Sequence, residues 1–205
     1  MINAVILAAG ESRRMGMPKP LLRFGNTTFL GQIISVLQHA AIERITVVLG
    51  AEAERLVESV DLSGTEVVVN HDYRDGQSSS LVAALREVPA ETEAILLCLV
   101  DNPFITPEIV NEVVGAYRQT NHPIVIPVQD GKRGHPALFA RSVFGELLDA
   151  PADQGARYVV RSDPERVLEV EVADRAVAVR IDTPDQYKEH FGIVPQIRSR
   201  MRETS

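Results

Sequence analysis

A turn near the amino terminus collects residues that could bind an anion. Residues 7–22, LAAGESRRMGMPKPLL, set two glycines, two adjacent arginines and a lysine directly after an apolar run. Glycine lets a backbone approach a ligand closely, and Arg14 and Lys19 could neutralise a triphosphate. A tight strand-to-helix connection with solvated surface cations is the alternative. We predict a phosphate-binding turn, because ligands of open α/β sheets bind beyond the carboxyl ends of strands.

The turn matches neither of the two common nucleotide motifs. A dinucleotide fingerprint requires Gly-x-Gly-x-x-Gly, whereas Gly10 and Gly16 are separated by five residues and have no third glycine. A P-loop requires a lysine directly after its last glycine, whereas Met17 and Pro18 stand between Gly16 and Lys19. The residues therefore indicate a phosphate site of another type.

Two aspartates follow apolar segments that we predict to be strands. Asp101 ends segment 94–101 and Asp182 ends segment 176–182. In a parallel sheet both carboxylates would lie at the edge that also carries the glycine turn. Such a pair suits Mg²⁺, which takes one or two carboxylates together with phosphate oxygens and water. An aspartate in this position can instead cap the next helix, and that alternative stays open for Asp182.

Short β-branched runs alternate with segments of helical period along the chain. We predict strands at 3–9, 44–50, 66–70, 94–101, 123–128, 136–140 and 176–182. We predict helices at 28–41, 51–60, 78–87, 106–118, 142–149 and 184–191. Several strands are apolar on both faces, which is typical of sheets covered by helices on both sides. The order predicts a three-layer α/β/α fold with a mostly parallel, mixed central sheet.

The composition limits the class of protein. The 205 residues are 45% apolar and 24% charged, and the formal net charge of -7 argues against a nucleic-acid partner. The single cysteine, Cys98, excludes a disulfide framework and is expected to be buried, which favours the cytoplasm. We find no signal peptide and no apolar run long enough for a membrane span. We expect one domain over 1–192 and a basic tail, 193–205, that is either loosely packed or binds an anion.

The early turn carries a family resemblance. Written as Leu7-Ala8-Ala9-Gly10-x-Ser12-x-Arg14-Met15-Gly16-x-x-Lys19, it resembles the signature of the MobA-like nucleotidyltransferases, most closely that of the molybdenum cofactor cytidylyltransferases. The resemblance continues in the family's order through segments 70–81, 99–110, 133–139, 152–157 and 181–187. It implies a Rossmann-like nucleotidyltransferase fold over nearly the whole chain. One departure is Val100, where the family often has glycine.

The resemblance also implies a reaction. CMP would pass from CTP to molybdopterin or the molybdenum cofactor when an acceptor phosphate attacks the α-phosphorus and pyrophosphate leaves. Attack by one anion on another needs charge neutralisation and in-line positioning more than a strong base. The resemblance assigns Mg²⁺ to Asp101 and Asp182. Arg14, Lys19 and Asp101 become the catalytic candidates.

The resemblance further names residues that would bind the nucleotide. In the family, Ala-Ala-Gly at 8–10 goes with cytidine, whereas guanylyltransferases usually have Ala-Gly-Gly, and a methyl group at Ala9 would leave less room for a purine. Gln77, Ser79 and Ser80 could hydrogen-bond a pyrimidine, or the serines could only cap the next helix. The nucleotide-binding candidates are Leu7, Ala8, Ala9, Gly10, Arg14, Lys19, Asn70, Ser79, Ser80 and Asp101.

The acceptor side is less defined. His135 stands in a Gly-His-Pro block that resembles the one facing the second substrate, although a structural histidine in a tight turn is the alternative. Gly155 and Arg157 are weaker candidates in a nearby flap. Transient docking to a recipient molybdoenzyme is expected without a motif to locate it. The alternatives are a same-fold enzyme that uses GTP or a sugar or alditol phosphate, and a non-catalytic cofactor carrier.

Overall fold

A mostly parallel sheet forms the centre of the protein, and the structure, a computed structural model, describes residues 1–196. Six strands lie between residues 2 and 99: β1 (Ile2–Leu7), β2 (Arg23–Phe24), β3 (Thr27–Thr28), β4 (Arg44–Leu49), β5 (Glu66–Val69) and β6 (Ala94–Leu99). Four more follow: β7 (Ile124–Gln129), β8 (Lys132–Arg133), β9 (Ala137–Ala140) and β10 (Val167–Glu171). The main sheet has the order β10-β7-β9-β6-β1-β4-β5, with β8 beside β7, whereas β2 and β3 form a separate hairpin.

The strand directions make the sheet mixed. β1 lies parallel to β4 and β6, β4 is parallel to β5, and β7 is parallel to β10. Only β9 among the long strands runs antiparallel to its neighbours, β6 and β7, within residues 1–196. The predicted mostly parallel sheet is therefore confirmed.

Helices cover both faces of the sheet. They are α1 (Phe29–Gln38), α2 (Ala53–Ser59), α3 (Gln77–Glu87), α4 (Pro107–Thr120), α5 (Phe144–Asp149), α6 (Ala156–Ser162) and α7 (Pro184–Phe191). Ala4 and Ile6 of β1 pack with α1, α2 and α4, whereas Val5 and Leu7 pack with α3, α5 and α6. Alternate residues of a strand point to opposite faces, so both faces must be apolar. The three-layer α/β/α architecture is confirmed.

Cys98 belongs to the buried face of β6. Its side chain is 1% exposed and packs in the cluster that includes α1 and α4. Burial raises the pKa of its thiol, so the thiol stays protonated and the nucleophilic thiolate does not form. Cys98 is thus a small core side chain, as expected. Separately, no helix within residues 1–196 is long and apolar enough to cross a bilayer.

The prediction of a strand at 176–182 is wrong. This segment forms a single 3-10 turn over Arg175–Ala178 and then an irregular stretch. Its alternating apolar residues suggested a strand, but Val177 and Ile181 are the buried ones, and the backbone bonds to loops instead of to a strand. The strand of this region is β10, which we did not predict because its exposed glutamates interrupt the apolar run. Helix α6 was also missed.

The predicted basic tail extends past the end of the described residues. Its three arginines, at 198, 200 and 202, lie outside residues 1–196. Just before them, the carbonyl of Gln196 accepts a hydrogen bond from the backbone N–H of Arg23 at 2.9 Å. A domain over 1–192 followed by an anion-binding or loosely packed tail stays a prediction.

Candidate active site

The glycine turn begins where β1 leaves the core. Leu7, Ala8 and Ala9 are buried, and the chain reaches the surface at Gly10. The carbonyl of Ala9 accepts a hydrogen bond from the N–H of Ala51 at 2.9 Å, which fixes the end of the strand against the next connection. The backbone at Ala8 and Ala9 is therefore tied to its neighbours, whereas Gly10 is exposed.

Ser12 organises the rest of the turn. Its φ of +54° is left-handed, and its carbonyl accepts hydrogen bonds from the N–H groups of Met15 and Gly16 at 3.0 and 3.1 Å. Its hydroxyl accepts a hydrogen bond from the N–H of Lys19 at 3.0 Å. A serine that holds such a conformation is anchored by its surroundings. Ser12 thus sets where the side chain of Lys19 starts.

The structure brings together the charged residues that the sequence places far apart. Lys19 Nζ lies 2.5 Å from Asp182 Oδ1 and 3.4 Å from Asp101 Oδ2. The side chains of Lys19, Asp101 and Asp182 are only 11%, 13% and 16% exposed. Arg14 Nη2, on a side chain that is 69% exposed, lies 3.1 Å from Asp182 Oδ1. All four predicted phosphate and metal residues therefore meet in one cluster.

Arg180 joins this cluster, although sequence reasoning assigned it no role. Its Nη2 donates to Asp101 Oδ2 at 2.7 Å and lies 3.8 Å from Asp182 Oδ2. Burial lowers the pKa of the guanidinium, but the hydrogen bond and charge of Asp101 and the charge of Asp182 outweigh this effect and raise it. The available signal was its position two residues before Asp182, which would put both side chains on one side of the strand predicted at 176–182.

Hydrogen bonds hold the segment of Asp182 beside Asp101. The carbonyl of Asp101 accepts from the N–H of Ile181 at 2.8 Å. Asn102, which is 1% exposed, donates through Nδ2 to the carbonyls of Ala176, at 3.0 Å, and Val179. These bonds replace the strand pairing that we predicted, so Asn102 is a further positioning residue that the sequence did not reveal.

Asp182 is not the cap of the helix that follows it. Thr183 is the N-cap of α7, and its hydroxyl accepts from the N–H of Gln186 while the Gln186 amide oxygen accepts from the N–H groups of Asp182 and Thr183. This capping box leaves the Asp182 carboxylate directed to the charged cluster. The capping alternative for Asp182 is therefore wrong.

The two carboxylates have the properties of cation ligands. Burial raises the pKa of Asp182, but the hydrogen bond and charge of Lys19 and the charges of Arg180 and Arg14 outweigh burial and lower the pKa below its ordinary value. Asp101 Oδ1 is buried and has no hydrogen-bond partner among residues 1–196. No cluster of three or more histidine, cysteine or acidic ligands occurs in that part of the chain. This donor set fits Mg²⁺ that is completed by phosphate oxygens and water.

Asn70, Ser79 and Ser80 bond to one another. Asn70 Nδ2 donates to Ser79 Oγ at 2.9 Å and to Ser80 Oγ at 3.0 Å. The hydroxyl of Ser79 lies 2.9 Å from the carbonyl of Asp72 and 2.8 Å from that of Gly76. The two serines thus stabilise the loop before α3, whereas Gln77 borders a cavity next to the charged cluster.

Two cavities adjoin these residues. The larger, of about 540 Å³, is bordered by Leu7, by the start of α3 and by a group of basic side chains: Arg133, His135, Arg157, Arg161 and Arg180. The second, of about 480 Å³, is bordered by Gly10, Ser12 and Gly16 of the glycine turn and by Tyr73, which lies before α3. Arg180 reaches both the larger cavity and the carboxylates.

His135 lines the larger cavity. Its Nδ1 lies 3.4 Å from the Leu97 carbonyl. Burial lowers its pKa despite the opposing effects of that carbonyl and of the Asp101 charge. A Cβ on the preceding Gly134 would lie 2.2 Å from the Val177 carbonyl, so this position requires glycine. The flap residue Gly155 has a φ of +51°, and a Cβ there would lie 2.2 Å from Ser78 Oγ, so the flap packs directly on the start of α3.

Relatives of this chain include transferases and one oxidoreductase. The nicotine blue oxidoreductase of Paenarthrobacter nicotinovorans is 28% identical over 90% of this chain and 94% of its own length. The molybdenum cofactor cytidylyltransferase of Escherichia coli K12 is 29% identical over 91% of this chain and 93% of its own. A probable molybdenum cofactor guanylyltransferase of Mycolicibacterium paratuberculosis is 32% identical over 76% of this chain and 77% of its own.

Solved structures agree with the fold. Rv0371c of Mycobacterium tuberculosis H37Rv is 32% identical, covers 94% of this chain and 98% of its own, and superposes with a TM-score of 0.82. Its complex with manganese covers the same shares, with a TM-score of 0.80. Residues 4–168 of our chain match the family described as the MobA-like NTP transferase domain. The glycine turn, its lysine and the first of the two aspartates lie in that range, and the chain belongs to the MobA-like NTP transferase domain family.

Proposed function

We propose that this protein transfers CMP from CTP to a molybdopterin-type acceptor and releases pyrophosphate. An oxygen of the acceptor phosphate would form a bond to the α-phosphorus, and the bond from that phosphorus to the leaving pyrophosphate would break. The observation that carries the proposal is the cluster of Lys19, Arg14 and Arg180 around two aspartates at the end of the glycine turn. Such a cluster offers the charge neutralisation that attack by one anion on another requires.

Each member of the cluster has a proposed task. Lys19 and Arg14 bind the triphosphate, with the open edge of the backbone at Gly10. Asp101 and Asp182 hold a divalent metal. The support is the buried Asp101 Oδ1, which has no hydrogen-bond partner within residues 1–196, and the manganese complex of Rv0371c. When bound, Mg²⁺ neutralises phosphate charge and aligns the phosphate oxygens. Arg180 keeps Asp101 in place through its hydrogen bond.

The larger cavity is the proposed acceptor site. Its volume of about 540 Å³ falls in the range of small-molecule sites. Arg133, Arg157, Arg161 and Arg180 border it, against Asp75 and Asp153, so it favours an anionic ligand such as the phosphate of molybdopterin. His135, neutral because burial lowers its pKa, can offer a hydrogen bond without adding charge. The packing of Gly155 on Ser78 encloses the cavity on one side.

The choice of CTP rests on the turn and on a relative. Ala-Ala-Gly at 8–10 resembles the form of the motif that goes with cytidine in the family, and the Escherichia coli K12 cytidylyltransferase aligns over 91% of this chain. Ala9 is 3% exposed and borders neither of the two cavities above. GTP is the second candidate donor, because a guanylyltransferase relative is 32% identical over 76% of this chain.

The oxidoreductase relative suggests a redox function as an alternative. The chain has no Gly-x-Gly-x-x-Gly after β1, and its one cysteine is buried with a raised thiol pKa. The cluster of cations and carboxylates has no evident task in hydride transfer. Transfer of a nucleotidyl group therefore accounts for more of the site residues than a redox reaction does. A non-catalytic carrier would need neither aspartate.

The deciding experiment measures pyrophosphate release with purified molybdopterin, Mg²⁺ and each of the four nucleoside triphosphates in turn. We expect CTP to support the fastest release, and the Asp182→Asn variant with CTP is the control. Faster release with GTP would identify a guanylyltransferase. Release only when a sugar or alditol phosphate replaces molybdopterin would identify another acceptor. No release with any combination would contradict the transferase proposal. Docking to a recipient molybdoenzyme also remains a proposal, to be tested by co-purification.

A further inference from the structure

The ammonium group of Lys19 lies between the two carboxylates that are proposed to hold the metal. Its distances of 2.5 Å to Asp182 Oδ1 and 3.4 Å to Asp101 Oδ2 mean that one cation already bridges the pair. We infer that Lys19 is an internal counter-ion that blocks the metal position in the nucleotide-free protein and leaves it when the triphosphate arrives. This inference rests on the proposed function, because it concerns the same metal and nucleotide site.

The charge balance of the cluster disfavours a metal that arrives alone. Three side-chain cations, Lys19, Arg14 and Arg180, face two carboxylates, which leaves an excess of one positive charge. A free divalent ion would add to this excess at a site where burial weakens the screening by water. A metal bound to a triphosphate of about four negative charges brings a net negative charge instead. The cluster therefore binds the metal–triphosphate complex far more readily than the metal alone.

Lys19 can change partners through its side chain without moving its backbone. Pro18 and Pro20 flank it, and each fixes its own φ angle. The N–H of Lys19 is also held by the hydroxyl of Ser12 at 3.0 Å. The four-carbon stem of lysine has several rotatable bonds, so the ammonium can turn from the aspartates to phosphate oxygens. The turn stays in place while the cation moves.

The remaining contacts preserve the carboxylates after Lys19 has left. Arg180 Nη2 still donates to Asp101 Oδ2 at 2.7 Å, and Arg14 Nη2 still lies 3.1 Å from Asp182 Oδ1. Asp101 Oδ1 is buried and has no hydrogen-bond partner among the described residues, so it keeps an unused acceptor for a metal. Departure of one side chain thus converts an occupied ion-pair site into a metal site, which makes metal affinity depend on the nucleotide.

The test measures binding of Mn²⁺ alone to the full-length, nucleotide-free protein by the loss of its free-ion electron paramagnetic resonance signal. We expect Lys19→Met to bind Mn²⁺ at least tenfold more tightly than the wild type, because the competing cation is gone. Lys188→Met removes the same charge from an exposed position on α7 and should match the wild type. Lys19→Gln keeps a hydrogen-bond donor and should show the same gain, so it decides the question if the methionine variant does not fold.

An Mn²⁺ affinity of folded Lys19→Met and Lys19→Gln within twofold of the wild type would overturn the inference. So would an equal gain in Lys188→Met, which would point to net charge alone. The measurement contains neither nucleotide nor acceptor, so it is independent of the transfer assay. If the Lys19 variants gain Mn²⁺ affinity but the wild type transfers no nucleotide, the proposed function is contradicted and the counter-ion role stands. If the wild type transfers a nucleotide but the variants gain no affinity, the counter-ion role is contradicted and the proposed function stands.

Discussion

Replacement of Asn102 by alanine tests whether a buried side chain, and not a strand, positions the second aspartate. Asn102 is 1% exposed, and its Nδ2 donates to the carbonyls of Ala176 and Val179. The Ala176 carbonyl would keep one other donor, the N–H of Val179 at 3.2 Å. The Val179 carbonyl would lose the only donor that it has within the described residues.

The expected cost follows from these two bonds. A typical hydrogen bond contributes about 1 kcal/mol, and a buried acceptor left without a donor costs about 1–3 kcal/mol. We therefore expect Asn102→Ala to lower the free energy of unfolding by about 2–4 kcal/mol in total. For a chain of this size each kcal/mol corresponds to about 2–4 °C, so Tm should fall by about 4–16 °C. Turnover should fall about 10- to 100-fold as Asp182 shifts from its place beside Asp101.

Urea unfolding of the wild type, Asn102→Ala and a matched control measures this cost. The control is Asn111→Ala, because the Asn111 Oδ1 accepts one hydrogen bond, from the N–H of Ala41 at 2.8 Å, at an exposed position. Its loss should cost about 1 kcal/mol or less. If Asn102→Ala costs no more than Asn111→Ala and turnover is normal, then Asn102 does not hold the segment and the reasoning is wrong.

Three further predictions concern the charged cluster and the cavity. Asp101→Asn and Asp182→Asn should each lower turnover by about 100-fold or more with an unchanged circular dichroism spectrum, because each removes charge stabilisation of the transition state; near-normal turnover in either would end its metal role. Lys19→Met should chiefly raise the KM for CTP in pyrophosphate-release kinetics, and unchanged CTP kinetics would contradict phosphate binding by Lys19. The His135 ring should titrate below its ordinary pKa of 6.5 by NMR, because burial lowers that pKa. The stability that the neutral ring contributes is therefore present above about pH 6.5 and lost as the pH falls through the folded-state pKa, and a midpoint at or above 6.5 would refute this.

Local sequence patterns were sufficient to predict elements whose limits are set by neighbouring residues. The β-branched run of β1 and the regular apolar spacing of α1 gave elements within a few residues of those observed. Thr28 and Thr106 cap α1 and α4 through their hydroxyls, and Pro107 stands at the first position of α4. These features depend on neighbours in the chain, so periodicity and capping rules identify them.

The same rules failed where tertiary contacts decide the backbone. Segment 176–182 has the alternation of a strand, yet its hydrogen bonds go to Asn102, Asp101 and His135 of other loops. The edge strand β10 has exposed glutamates because it is the last strand of the sheet, so its apolar signal is weak. The irregular backbone of 176–182 and the position of β10 at the sheet edge cannot be inferred from local sequence. Both depend on which other segments of the chain lie beside them in the folded protein.

The sequence by itself determined the family, the layer architecture and the residue types of the site. Only the tertiary structure decided which atoms meet: Lys19 and Asp182 are 163 positions apart, Arg180 and Asp101 are 79 apart, and the ammonium lies between both carboxylates. The reason is that the parallel strands β1 and β6 bring the glycine turn and Asp101 to one edge of the sheet, whereas hydrogen bonds from loop residues place the segment of Arg180 and Asp182 beside them. Periodicity describes the first and contains no information about the second.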